Sequence, residues 1–140
     1  MLAAAAAASA DSRLGNISTR GFVGTGDNVL IAGAILVGDA PRQIIVRVLG
    51  PSLQQYNIPN VLADPVMEIH DANGNLIDGN DDWQDDSFAG QVQALGFAPS
   101  DSLEAAIYRP SVQPGAYTVI VRGFNSTTGV AIVEIYDIGP

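Results

Sequence analysis

Cysteine and lysine are both absent from this sequence of 140 residues, and histidine occurs once, at His70. Without cysteine the chain can form no disulfide, no thiolate metal site and no cysteine nucleophile. A single histidine also excludes a histidine-rich zinc site. The sequence has no G-x-S-x-G nucleophile elbow, and His70 lies in an alternating segment typical of a surface strand. We therefore predict that the chain is not an enzyme.

Positive charge is scarce and unevenly placed. All six cationic residues are arginines, against fifteen acidic residues, which gives a formal net charge of −9. Residues 48–108 contain no arginine but hold ten of the fifteen acids. Simple repulsion therefore disfavours nucleic acids and anionic lipid surfaces as partners. The longest apolar run, residues 29–37, is too short for a membrane-spanning helix, and we expect no insertion into a membrane.

Short strands separated by turns account for the rest of the chain. The run at residues 29–37 predicts a strand buried on both faces. Residues 66–71 alternate, with Met67 and Ile69 on one face, and Asn73-Gly74 is a hairpin turn signal. Residues 116–123 and 130–136 resemble a final hairpin. About eight strands at this spacing, with at most one short helix near residues 88–95, predict an all-β antiparallel sandwich or jelly roll.

Three segments are predicted from composition. Residues 1–11 form an alanine-rich leader, residues 12–27 an extended N-terminal strand, and residues 28–140 the sandwich. The extended segment is partly apolar and separable from the body. Such a strand either closes its own sheet or completes the sheet of a neighbour, and the second arrangement tends to produce a filament. The residues predicted to make this assembly contact are Leu14, Ile17, Thr19, Phe22 and Val23.

The strongest candidate for chemistry is the acidic run at residues 77–86. Five carboxylates and one asparagine fall within nine residues, next to glycine. Calcium takes six to eight oxygen ligands in flexible geometry, and closely spaced carboxylates without a cation repel one another. The spacing does not fit an EF-hand. Local chemistry leaves calcium and a solvated acidic loop both open, and the missing cations favour calcium. The candidate ligands in this run are Asp78, Asn80, Asp81, Asp82, Asp85 and Asp86.

Other features allow weaker interpretations. Paired carboxylates could hydrolyse glycosides, but acids on one exposed loop are too close and too wet for separate acid and base roles. Asn16 and Asn125 each begin an N-glycosylation pattern. The few aromatic residues could form a platform that stacks on sugars, although anchoring of the core and loops is the simpler role. The five of the nine aromatic residues considered for this platform are Tyr56, Trp83, Phe88, Phe97 and Tyr108.

Several runs together resemble a family of β-sandwich domains in large secreted or surface proteins of environmental bacteria. These runs are residues 12–14, 16–21, 23–31 (VGTGDNVLI), 49–53 (LGPSL), 63–65 (ADP), 71–74 (DANG), 80–83 (NDDW) and 114–118 (PGAYT). The second half is also similar to calcium-binding pre-peptidase C-terminal sandwiches, which share an Asn-Asp-Asp loop followed by a Pro-Gly-x-Tyr strand. This resemblance implies Asn80, Asp81 and Asp82 as cation ligands and Glu104 as a distant one, and it offers no catalytic residues.

These observations predict an extracellular or cell-surface protein of bacterial type. The leading hypothesis is a structural subunit of a filament, in which identical copies join by donation of the N-terminal strand and Ca²⁺ stabilises each sandwich. The alternative is a calcium-dependent module that binds carbohydrate or a cell surface. An accessory or hydrolase domain of an enzyme ranks last.

Overall fold

A computed structural model describes residues 14–140 of the chain. The alanine-rich leader predicted at residues 1–11 lies outside this range. Eight strands and one short helix follow one another: β1 (Asn16–Val23), β2 (Leu30–Leu36), β3 (Arg42–Leu49), β4 (Pro65–His70), β5 (Leu76–Asn80), α1 (Ala89–Ala94), β6 (Ala105–Val112), β7 (Gly115–Gly123) and β8 (Gly129–Gly139). Single 3₁₀ segments cover Pro51–Tyr56, Trp83–Asp85 and Phe124–Ser126. The described residues include no helix with the length and hydropathy of a membrane span.

The strands form two antiparallel four-stranded sheets. The first sheet has the order β1-β8-β3-β6 and the second has the order β2-β7-β4-β5. They stack so that β1 faces β2, β8 faces β7, β3 faces β4 and β6 faces β5. The predicted all-β antiparallel sandwich of eight strands is therefore confirmed.

The main core lies between the two sheets and follows the alternation of each strand. Val46 and Val48 of β3, Met67 of β4, and Val119 and Val121 of β7 are buried there. Because successive side chains of a strand point to opposite faces, the residues between them face outward, such as Glu68 of β4 and Ile120 of β7. The predicted inward positions of Met67 and Ile69 are confirmed, since both are buried.

A second, smaller core covers the outer face of the first sheet. Residues 81–104 run across this face, and Trp83 and Val92 pack on Ile45, Ala106 and Tyr108. The ring of Phe88 meets the ring of Tyr108 edge to face, with 5.6 Å between centroids. These aromatic residues anchor the segment to the sheet.

Strand β1 pairs with β8 of the same chain, and this corrects the prediction of strand donation. The pairing runs without a break from Asn16 opposite Tyr136 to Val23 opposite Gly129. Val23 is fully buried in the core of its own sandwich. The opening strand is therefore hydrogen-bonded within its own chain. It closes its own sheet, which is the first of the two arrangements that the sequence allowed.

Two further predictions about strands were wrong. Strand β2 is the last strand of the second sheet, and its Ile31 and Ile35 are exposed, so it is not buried on both faces. Strands β7 and β8 are not a hairpin, because β7 belongs to the second sheet and β8 to the first. The 3₁₀ segment between them has two residues in the left-handed region, Asn125 and Ser126, and carries the chain across.

Candidate functional sites: the acidic segment and the open edge

Four of the seven predicted metal ligands have protein partners that explain their positions: Asp78, Asn80, Asp86 and Glu104. Asp78 lies in β5 and Asp86 lies before α1, and both contact Arg109 of β6. The guanidinium donates to both oxygens of Asp78, at 2.6 and 2.8 Å, and to both oxygens of Asp86, at 3.0 and 2.9 Å. A planar fork that binds two carboxylates in this way is the strongest ion-pair geometry available to arginine. Asn80 of β5 accepts from the backbone N–H of Ala106 at 3.0 Å, which ties β5 to β6.

Arg109 is the cation that sequence reasoning missed. Burial lowers its pKa, but hydrogen bonds and charges from Asp86 and Asp78 outweigh burial, and the pKa is raised above its ordinary value. The guanidinium carbon also lies 5.8 Å from the ring centre of Phe88. The range without arginine ends at residue 108, and Arg109 is the next residue along β6. The missing cation therefore lies one position beyond that range.

Glu104 has a structural role at the turn after β3. It is completely buried, and its Oε2 accepts from the backbone N–H of Gly50 at 2.7 Å and from the hydroxyl of Ser52 at 2.7 Å. The backbone N–H of Ser52 donates to the same oxygen at 3.2 Å, and the N–H of Asp101 donates to Oε1 at 3.3 Å. A buried carboxylate needs such donors to offset its desolvation. Gly50 and Ser52 donate to Glu104 from either side of Pro51, which has no N–H to donate. This short run is the sequence signal for the buried acceptor.

Five further acids form what we call the acidic pole: Asp64, Asp81, Asp82, Asp85 and Asp101. Asp64 precedes β4, the next three follow β5, and Asp101 precedes β6. Burial first, and then the charges of Asp82, Asp81 and Asp101, raise the pKa of Asp64. Burial and the charges of Asp81 and Asp85 raise the pKa of Asp82. In the described chain no arginine forms an ion pair with any of the five.

The acidic pole does not bring three of its carboxylates together around one point. Within residues 14–140, no three side chains of histidine, cysteine, aspartate or glutamate are arranged to hold one ion. The predicted ligands therefore divide into three groups. Asp78 and Asp86 share the single positive charge of Arg109, Asn80 and Glu104 are occupied by backbone groups, and Asp81, Asp82 and Asp85 have no ion-pair partner within residues 14–140.

His70 belongs to none of these three groups. Its Nε2 lies 3.0 Å from Oε2 of Glu68 and its Nδ1 lies 3.1 Å from the carbonyl of Gly74. The hydrogen bond with Glu68, followed by the one with Gly74, raises the pKa of His70. This arrangement pins the β4–β5 turn.

The second candidate site is the side of the sandwich where β1 and β2 face each other, which we call the open edge. A groove of about 380 Å³ separates the sheets there, lined mainly by apolar side chains. Much of the exposed large hydrophobic surface lies on these strands or next to them, at Leu14, Phe22, Ile31, Ile35 and Val37. Of the predicted assembly residues, Leu14 and Ile17 line the groove, Thr19 and Phe22 are exposed, and Val23 is buried.

The fold is similar to a known bacterial domain. A solved structure of the pre-peptidase C-terminal domain of a collagenase from Bacillus anthracis matches 86% of this chain and 88% of its own length, with a TM-score of 0.52. The sequences are 13% identical, so the likeness shows the fold alone. No protein-family model matches the chain, and no curated protein sequence matches it.

Proposed function

We propose that this chain is a non-catalytic structural module of an extracellular bacterial assembly, which associates with further copies of itself through the open edge. The main support for this proposal is the concentration of exposed apolar side chains on β1, β2 and the adjoining residues. Monomeric soluble proteins rarely expose large contiguous apolar patches, and such patches are typical of interaction sites. An extracellular location is supported by the resemblance to domains of secreted and surface proteins.

Assembly by edge contact replaces strand donation in this proposal. Because β1 is hydrogen-bonded along its length to β8, its exchange into a neighbour would first break that pairing. The open edge needs no such rearrangement. Its groove and its exposed side chains are available while each sandwich stays intact.

The test is the mass of the purified chain in solution as a function of concentration, measured by light scattering and by negative-stain electron microscopy. The expected result is a mass that rises above the 14.5 kDa of one chain, and a shift towards the monomer in Phe22→Ser. Tyr56→Ser is the matched control, because Tyr56 is an exposed aromatic residue of the 3₁₀ segment after β3. A constant mass of 14.5 kDa up to millimolar concentration would contradict the proposal.

A calcium-dependent module that binds a cell surface or carbohydrate is a second candidate, favoured by the acidic pole. Uncompensated carboxylates attract divalent cations, and calcium tolerates the irregular oxygen geometry of loops. The double variant Asp81→Asn/Asp82→Asn should lose any rise in Tm that calcium gives the parent, whereas Asp39→Asn, at an exposed position, should keep it. An identical parent Tm in calcium and in chelator would remove calcium from this account. Binding to a glycan array by the monomer, abolished by chelator, would favour this second function over assembly.

A further inference from the structure

Strand β2 is an edge strand without the usual protection against pairing. It ends the second sheet, with β7 on one side and no strand of the described chain on the other. Edge strands in soluble proteins are commonly blunted by charged residues, proline or bulges. Residues 30–36 contain no charge and no proline, and their pairing with β7 has no shift in register. The neighbouring edge strand β1 carries Arg20, which is exposed.

The side chains that β2 turns outward are apolar. Ile31 is 56% exposed and Ile35 is 74% exposed, and the exposed Gly33 lies between them on the same face. Ala32 is buried on the inner face, where Ala34 packs against the core. The strand thus offers free backbone groups at its edge and two isoleucines beside them.

The sequence of β2 reads the same in both directions. Leu-Ile-Ala-Gly-Ala-Ile-Leu is symmetric about Gly33. When two copies of such a strand lie antiparallel, with Gly33 opposite the partner's Gly33, each residue faces its own kind. Ile31 then lies opposite the partner's Ile35, and Leu30 lies opposite the partner's Leu36. Directly opposed β-branched side chains are favourable cross-strand pairs.

We propose that two copies of this chain pair through β2 about a two-fold axis at Gly33, which joins their second sheets into one continuous sheet of eight strands. The inference rests on the proposed self-association and specifies its contact. A two-fold contact uses the same surface on both copies and closes on itself, so the product is a dimer. Growth of a larger assembly would therefore use another surface of the dimer.

One test places a single cysteine at the axis. The chain has no cysteine of its own, and a Cβ built on Gly33 has only the carbonyl oxygen of Tyr117 nearby, at 3.9 Å. Gly33→Cys should form a disulfide-linked dimer under mild oxidation, because each copy brings its thiol to the same place. Leu76→Cys is the control, at an exposed residue of β5, the opposite edge of the same sheet. Cross-linking of Leu76→Cys as fast as Gly33→Cys would count against the axis.

The second test exchanges charge across the axis. Ile31→Lys and Ile35→Glu should each weaken dimerisation about tenfold or more, because every substitution occurs twice in the dimer. The double variant should recover most of that loss, since each introduced cation then faces an introduced anion of the partner. The two positions are about 13 Å apart within one strand, too far to pair inside one copy. Leu76→Lys should leave dimerisation unchanged.

The outcomes separate the inference from the function on which it rests. Weakening by both single variants and recovery in the double variant support the pairing through β2. Self-association that is unchanged by Ile31→Lys, by Ile35→Glu and by the double variant would overturn that pairing and leave assembly through the open edge intact. A parent chain that is monomeric at every concentration would overturn both. Circular dichroism of each variant verifies the fold, and both isoleucines are exposed in the single chain.

Discussion

Replacement of Arg109 by alanine should be among the most damaging single changes in this molecule. The guanidinium makes four hydrogen bonds to Asp78 and Asp86 and a fifth, at 2.8 Å, to the carbonyl of Tyr108. Its removal leaves two carboxylates without a cation, and the side chain of Asp86 is only 5% exposed. Removal of one partner from a buried ion pair costs about 3–5 kcal/mol. Because Arg109 and Asp78 keep about a quarter of their side-chain surface in water, we expect about 2–3 kcal/mol.

Chemical denaturation gives the free energy of unfolding directly, and a loss of this size should lower Tm by roughly 6–15 °C. Arg122→Ala is the control, because Arg122 makes a single ion-pair contact of 3.8 Å with Glu68 and should lose less than about 0.5 kcal/mol. The variant Arg109→Met with Asp78→Asn and Asp86→Asn should recover part of the loss, since it removes the stranded charges. If Arg109→Ala lost no more stability than Arg122→Ala, the argument that Arg109 holds residues 78–86 in place would be refuted.

Three further predictions concern other titratable groups. Glu104→Gln should lower the free energy of unfolding by about 1–3 kcal/mol in urea, because an amide nitrogen cannot accept the backbone hydrogen bonds, whereas Asp39→Asn should change little. Asp82→Asn should stabilise the fold at neutral pH. A raised carboxyl pKa means that the folded state binds protons more readily than the unfolded state does. The ionised Asp82 therefore destabilises the fold at pH 7, and this penalty fades as the pH falls towards the unfolded pKa near 3.8. Calorimetry from pH 7 to 3 should show the stabilities of the parent and the variant converge. An NMR titration should give His70 a pKa above 6.5, and Glu68→Gln should move it down; the stability from this contact is present at acid pH and lost as pH rises through the raised pKa.

The sequence predicted the sandwich because most strands alternate in the ordinary way. In β4 and β7, inward valine, isoleucine and methionine alternate with outward residues that include Glu68, Thr118 and Arg122, and the turns between strands carry glycine, asparagine or proline. The same reasoning gave a wrong prediction for the burial of β2. A run of isoleucine, leucine and alanine looks alike whether both its faces are covered or one stays exposed, and only the sheet order shows that β2 is an edge.

The acidic segment shows where local reasoning stops. The run at residues 78–86 has the composition of a cation site, and the cation that two of its acids contact comes from Arg109, 31 residues beyond Asp78. Partners that far apart in sequence are brought together by strand pairing, which the spacing of acids does not contain. The prediction of strand donation was wrong for a similar reason. The sequence of an extended opening segment does not show whether its pairing strand lies in the same chain.

The pairing of the first strand with the last has a consequence for biosynthesis. Strand β1 leaves the ribosome more than 100 residues before its partner β8. At a synthesis rate of about 5–20 residues per second, the wait is on the order of ten seconds. During that interval Val23 and Phe22 have no completed sheet to join. The pairing edge of β1 therefore stays uncovered until β8 docks between β1 and β3 and completes the first sheet.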